Sequence, residues 1–220
     1  MCAGNYILIT WDMLSLGSGL LTAPYQLGAY STLGDAFVRC IKPSGLMEMA
    51  ENYTAMPLVR FGGRYAVHNR QTQQLEFCIN PHRALLEFVE FLETMKQRVR
   101  PAYDGVVLVS YSQECTPLLL QRLEQFDYGQ RFWRAVAALG DLGQYMKEVH
   151  AENPAFRSLL SSPSRPSGLE RIPLEKAYSC AFQRKMPMEG MFCDLRANYT
   201  YQVMLQLHQK EPNYANFYRV

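Results

Sequence analysis

Three sets of residues in this sequence have types and spacings that could do chemistry. The first is a carboxylate. Asp12 closes the run Ile7 to Trp11 in NYILITWDML, five apolar or β-branched residues in a row. An acid at the end of a buried strand can help hold a divalent cation if further oxygen ligands converge on it. Two residues on, Leu14 offers no such oxygen. The second set is basic. Arg60, Arg64 and Arg70 surround a Gly62-Gly63 turn; Lys96, Arg98 and Arg100 end an amphipathic stretch; Arg131 and Arg134 sit beside Phe132 and Trp133. Arginine mixed with aromatics suits single-stranded RNA, because a base stacks while a guanidinium neutralises phosphate. Each cluster also has a structural reading. Basic residues in the last turn of a helix favour its dipole, and Phe132 and Trp133 fit a core. The third set is Cys78 and His82, four apart. No second pair completes a zinc site, which favours a structural role for both.

These residues need a scaffold, and composition bounds it. The chain has 220 residues, 48% hydrophobic and 19% charged, as expected of a globular domain able to bury a sizeable core. No apolar stretch approaches the length of a membrane span, and the N-terminus lacks the basic region of a signal peptide. Six cysteines, at 2, 40, 78, 115, 180 and 193, are spread without a CxxC spacing. That pattern fits reduced thiols and a cytoplasmic location. A net charge of +2 permits nucleic-acid binding but requires any basic footprint to be local.

Hydrophobic periodicity then places the elements. Residues 5–11 predict a strand buried on both faces, and 22–31 and 35–43 predict two more, joined by a turn at Gly34. Residues 44–80 are ambiguous, with a short helix around 46–52 and a turn at Gly62-Gly63. Asn80 and Pro81 start a helix over 81–100 whose buried stripe is Leu85, Phe88, Val89 and Leu92. Residues 105–111 form a buried strand, and 116–126 a helix capped by Thr116 with Pro117 at its first position. Residues 134–150 give a strand or short helix, then a helix from about 142. The Ser/Pro-rich stretch 155–172 predicts a mobile loop. Helices follow at 173–182 and 194–209, the second capped by Asp194 with Ala197, Tyr201, Met204, Leu205 and His208 along one face. The expected organisation is one domain over 1–210 and a tail over 211–220.

This order predicts an α/β fold, a mixed five-stranded sheet with helices on both faces, and it resembles the RNase H-like arrangement of DEDD exonucleases. In that superfamily four acids hold two Mg²⁺ ions that clamp the attacking water and the leaving oxygen. The resemblance implies that Asp12 matches the first acid and Asp194 the last. It also implies that Leu14 replaces the second acid, that Thr116 stands in VSYSQECTPLLL where the third belongs, and that Glu189 replaces the general base. Glu114, two residues before Thr116, is the remaining oxygen source. Arg184, Lys185 and Arg196 flank the same cleft and join the RNA-binding candidates.

Within that superfamily the chain resembles the exonuclease-like domain of the exuperantia family, insect maternal-mRNA localisation proteins. The stretches that carry the likeness are GNYILITWD (4–12), YQLGAY (25–30), IKP (41–43), YDGVVLVSY (103–111) and RANYTYQVMLQL (196–207). They are collinear over nearly the whole chain. The resemblance implies a catalytically degenerate domain that binds RNA, forms a homodimer and uses no metal or other cofactor. Family members continue into a SAM-like helical domain and a basic low-complexity tail, which the sequence to Val220 does not include. Three readings follow: an RNA-binding pseudo-exonuclease in mRNA localisation, a protein-interaction scaffold without RNA binding of its own, and a metal-dependent exonuclease using Asp12, Glu114 and Asp194.

Overall fold

In a computed structural model of the chain, the described residues are 6–16, 23–43, 58–69, 73–99, 105–111, 115–143, 145–146, 173–187 and 193–210. The helix expected around 46–52, the loop 155–172 and the tail 211–220 lie outside them. The centre is a five-stranded sheet made of β1 (Tyr6–Leu16), β2 (Ala23–Ser31), β3 (Ala36–Cys40), β7 (Gly105–Ser110) and β8 (Val136–Asp141). Its order is β3-β2-β1-β7-β8. The first three strands form an antiparallel meander, and β1–β7 and β7–β8 pair in parallel. A parallel pair needs a crossover with a helix, which covers the sheet and makes its central strand apolar on both faces. All six residues of β7 are buried accordingly.

Helices cover both faces, as the RNase H-like expectation requires. On one face α1 (Pro81–Val99), α2 (Cys115–Gln125) and α3 (Gly129–Ala135) pack against Ile7, Ile9, Trp11 and Met13. The α1 stripe is as expected: Leu85, Phe88, Val89 and Leu92 are buried, each burial stabilising by roughly 1.5–3 kcal/mol. Asn80 caps the helix, its Oδ1 accepting from the His82 N–H at 2.9 Å. On the opposite face α4 (Leu174–Phe182) and α5 (Cys193–Lys210) cover Leu8, Val107 and Val109. Among the described residues no helix is long and apolar enough to cross a membrane.

The structure departs from the sequence reading in five places. Strand β1 does not end at Trp11. Its partner β7 stops there, with Trp11 opposite Ser110, but β2 carries the pairing on to Leu16. Helix α2 begins at Cys115, so Thr116 lies in its first turn, where its hydroxyl meets that of Ser110 at 3.3 Å. Helix α3 was not expected. It runs into β8 with no loop, the Val136 N–H still bonding the Phe132 carbonyl while Val136 itself is extended. Helix α5 begins at Cys193, and its buried stripe is Cys193, Ala197, Thr200, Val203 and Met204, leaving Leu205 40% exposed. A threonine within this stripe breaks the apolar pattern from which the face had been inferred.

The fifth departure is a second sheet of β4 (Leu58–Phe61), β5 (Arg64–His68) and β6 (Leu75–Phe77), antiparallel in the order β4-β5-β6. Gly62 and Gly63 both have positive φ (56° and 78°), which the tight hairpin turn between β4 and β5 requires. Backbone bonds from Lys42 and Ile79 link the end of β6 to the end of β3. Leu58 and Val67 pack on Tyr25 and Cys40 of the main sheet.

Candidate functional site

Asp12 occupies the point where the main sheet opens. It is the first residue of β1 beyond the β7 pairing, while on its other side it still faces Gly28 of β2. Alternation along the strand turns Thr10 and Asp12 towards α5, and Ile9, Trp11 and Met13 towards the opposite layer. Helix α5 lies close over these strands. Thr10 Oγ1 donates to the Ala197 carbonyl at 2.7 Å. A Cβ on Gly28 would lie 2.3 Å from the Asp194 nitrogen and 2.4 Å from the Cys193 carbonyl carbon, so only glycine lets the backbones approach this far. Gln26, fully buried on β2, accepts from the Cys193 N–H at 2.7 Å and donates to the Cys40 thiol at 3.4 Å. It therefore satisfies an otherwise orphaned amide at the start of α5.

This docking brings Arg196 onto Asp12. The guanidinium Nε donates to Asp12 Oδ2, and Nη1 reaches Glu175 Oε1 of α4 at 3.3 Å. The second Asp12 oxygen accepts from the Met13 N–H at 2.9 Å, with the Cys115 thiol 3.7 Å away. The Asp12 side chain is 9% exposed and that of Arg196 25%. Burial opposes the charge on Arg196, but the field and hydrogen bond of Asp12, with Glu175 adding, outweigh it and raise its pKa. The neighbouring Cys193 thiol is fully buried; burial first, and then the Asp12 charge, push its pKa well up. Both Asp12 oxygens are thus engaged by protein donors, and its charge is neutralised by a fixed cation.

Of the remaining expected site positions, Leu14, Thr116 and Asp194 are among the described residues. Leu14 packs against Tyr25, Leu58 and Val67, where the second sheet meets the main one. Thr116 is neutral and bonded to Ser110. Asp194, expected as the cap of α5, lies within its first turn; burial raises its pKa, one of its oxygens is buried without a partner, and its charge is felt at Cys40. Glu114 and Glu189 lie outside the described residues. Two Mg²⁺ ions need several free carboxylate oxygens. Among the described residues no group of three or more His, Cys, Asp or Glu is placed to hold a metal ion, and the described residues around Asp12 do not fit that pair of ions. The sequence reading missed Glu175, Gln26, Cys115 and Cys193, and placed Arg196 at the cleft without its partner. A signal was present for Arg196. It directly precedes Ala197 on the buried stripe of the helix expected to cross strand one.

The basic candidates separate into used and unused side chains. Arg98 pairs with Asp35 at 2.6 Å, and Arg131 makes two bonds to Glu93 at 3.0 and 2.6 Å. Lys96 donates to the Arg134 carbonyl, so the clusters at the ends of α1 and α3 are one region. Phe132 is core as expected, whereas Trp133 is 48% exposed. Arg184 bonds the Tyr178 hydroxyl at 2.9 Å and lies over the Tyr178 and Phe182 rings; Lys185 is exposed. Arg60 and Arg64 stand on opposite faces of the hairpin, since Arg60 is registered with Tyr65 and Arg64 with Phe61. Arg70 and Arg100 lie outside the described residues. His82 bonds the Tyr128 hydroxyl at 2.8 Å, and burial pushes the Cys78 thiol up to about 12, which suits structural roles for both.

Comparison with known proteins gives a consistent result. Residues 6–161 match the family described as the Exuperantia RNAse H-like domain. The chain is 28% identical over 142 residues to maternal protein exuperantia of Drosophila melanogaster, an alignment covering 63% of this chain and 26% of that protein. It is 27% identical over 180 residues to maternal protein exuperantia-1 of Drosophila pseudoobscura pseudoobscura, covering 80% and 34%. Exuperantia-2 of the same organism is 26% identical over 142 residues, covering 63% and 29%. The chain therefore spans about a third or less of the length of these relatives.

Proposed function

Because the chain belongs to the Exuperantia RNAse H-like domain family, we propose that it is a catalytically degenerate exonuclease-like module. In this reading it binds single-stranded RNA without cleaving it, self-associates, and serves maternal mRNA localisation in the cytoplasm. The observation that carries the degenerate part is the Asp12–Arg196 contact. An active two-metal nuclease needs that carboxylate free for metal; here a guanidinium occupies it, and Leu14 supplies no second ligand. The RNA part draws support from exposed cations and aromatics, namely Arg60, Arg64, Phe61, Arg134, Trp133 and Lys185. The self-association part follows the family resemblance.

The test is a fluorescence-anisotropy titration of the chain with labelled single-stranded RNA at several salt concentrations, with light scattering on the same sample. The expected result is micromolar or tighter binding at low salt, weakening linearly in log–log form as salt rises, and a dimer mass. A flat titration at low salt rejects RNA binding by this chain. One observation favours the scaffold reading as second. Arg39, Arg98 and Arg131 each spend their charge on an internal carboxylate, which leaves fewer cations for phosphate. A dimer that binds no RNA would put that reading first.

A further inference from the structure

One face of the second sheet is exposed at its hairpin end, while Ala66, farther along the same face, is buried. Alternation and register put Phe61, Arg64 and Phe77 on one face, since Phe61 pairs with Arg64 across the hairpin and Phe77 pairs with Ala66, two residues along β5. The opposite face carries Leu58, Val67 and Glu76, and its apolar part packs on the main sheet. Phe61 is 59% exposed and Phe77 39%. Their ring centres are 6.5 Å apart, and the Arg64 guanidinium lies over the Phe77 ring at 4.4 Å. Among the described residues nothing lies within 4 Å of where a Cβ would stand on Gly62 or Gly63, and both glycines are exposed.

The charge on this face is of one sign. Among the described residues of the three strands, none of its positions is an acid, and Arg64 is paired with no carboxylate. Its occupant should therefore offer flat π-faces and negative charge together. From these contacts we infer that the face is a stacking platform for single-stranded RNA: bases stack on Phe61 and Phe77, and Arg64 swings from ring to phosphate. Antiparallel sheets with exposed aromatics bind splayed bases in this manner. The seat of the platform explains Leu14 as well. That residue, where a metal-binding acid would stand, packs under β4 and β5 instead. This inference rests on the RNA-binding reading above.

The experiment compares the whole chain with Phe61→Ala, Phe77→Ala, Phe61→Tyr and Arg64→Ala by anisotropy with a labelled single-stranded oligonucleotide, over a salt series. Both phenylalanines are exposed, and unchanged melting temperatures check that the variants fold. Each alanine at a phenylalanine should weaken binding by about 5- to 150-fold, the range for losing one stacked base. The salt slope should not change in these variants. Phe61→Tyr should retain binding, and Arg64→Ala should reduce the slope by about 1. Wild-type binding with both alanine variants unaffected overturns the platform and leaves RNA binding in place. No wild-type binding overturns both. Alanine variants that lose the dimer and keep RNA affinity would make this face a protein contact, which also overturns the platform.

Discussion

Arg196 of α5 holds Asp12 of β1, with Glu175 of α4 on the far side of the guanidinium. The acid nearest the sheet opening is therefore the buried member of a partly buried ion pair. Removing one partner of such a pair leaves an uncompensated charge and costs about 3–5 kcal/mol, whereas replacing both by apolar groups is often neutral. Arg196→Met should lower unfolding free energy by about that amount. Asp12→Leu combined with Arg196→Met should recover most of it. Urea denaturation of the single and double variants measures both.

A cation that bound the folded chain would raise its melting temperature by mass action. With Asp12 engaged on both oxygens, millimolar Mg²⁺ or Mn²⁺ should leave the thermal midpoint of the wild-type chain unchanged. A concentration-dependent rise would show that carboxylates in this cleft still gather metal.

Gly28 sets the distance between β2 and α5. A methyl group there meets backbone atoms of Cys193 and Asp194 at 2.3–2.4 Å, and backbone cannot step aside as a flexible side chain does. Overpacking of this kind costs about 1–3 kcal/mol and sometimes more. Gly28→Ala should therefore destabilise the chain and weaken the Arg196–Asp12 contact, which calorimetry reads as a lower melting temperature.

Burial pushes the Cys40 thiol from 9.0 up to about 11, with the Glu76 and Asp194 charges adding and the Gln26 hydrogen bond opposing. In the unfolded chain it ionises near 9.0 while the folded chain keeps its proton. The unfolded state then binds fewer protons, so stability is fully present below pH 9 and falls as pH rises towards 11. Cys193 acts with the same sign. Cys40→Ala should flatten the alkaline slope of unfolding free energy, measured by denaturant titration at a series of pH values.

At the start of α1, Asn80→Ala removes the bond to the His82 N–H and should cost about 1 kcal/mol. Its effect on RNA affinity should be nil, which makes it a stability control for binding variants.

Long elements with a strong period were legible in the sequence. The continuous apolar runs at 7–11 and 105–110 could only be buried strands, and the 85–92 stripe fixed α1 together with its Asn80-Pro81 start. Short or broken elements were not. Helix α3 has only seven residues and abuts β8 directly, and β4, β5 and β6 have four, five and three. In such segments tertiary contacts outweigh local pattern. At the site, the position of Asp12 after the apolar run, with the apolar Leu14 two residues on, could be read from the sequence alone. The ion pair could not, because Arg196 is 184 residues away and meets Asp12 only through the close packing that Gly28 and Gln26 permit. The basic clusters likewise looked alike in sequence. Only the fold separates Arg98 and Arg131, which are paired internally, from Arg64, which is paired with no carboxylate among the described residues.

The most direct measurement is incubation of the chain with 5′-labelled single-stranded RNA and Mg²⁺ or Mn²⁺, resolved on native and denaturing gels. The expected result is a retarded complex on the first gel and full-length RNA on the second. A shortening ladder that disappears in Asp12→Ala would contradict it, because Asp12 would then be serving a metal and not Arg196.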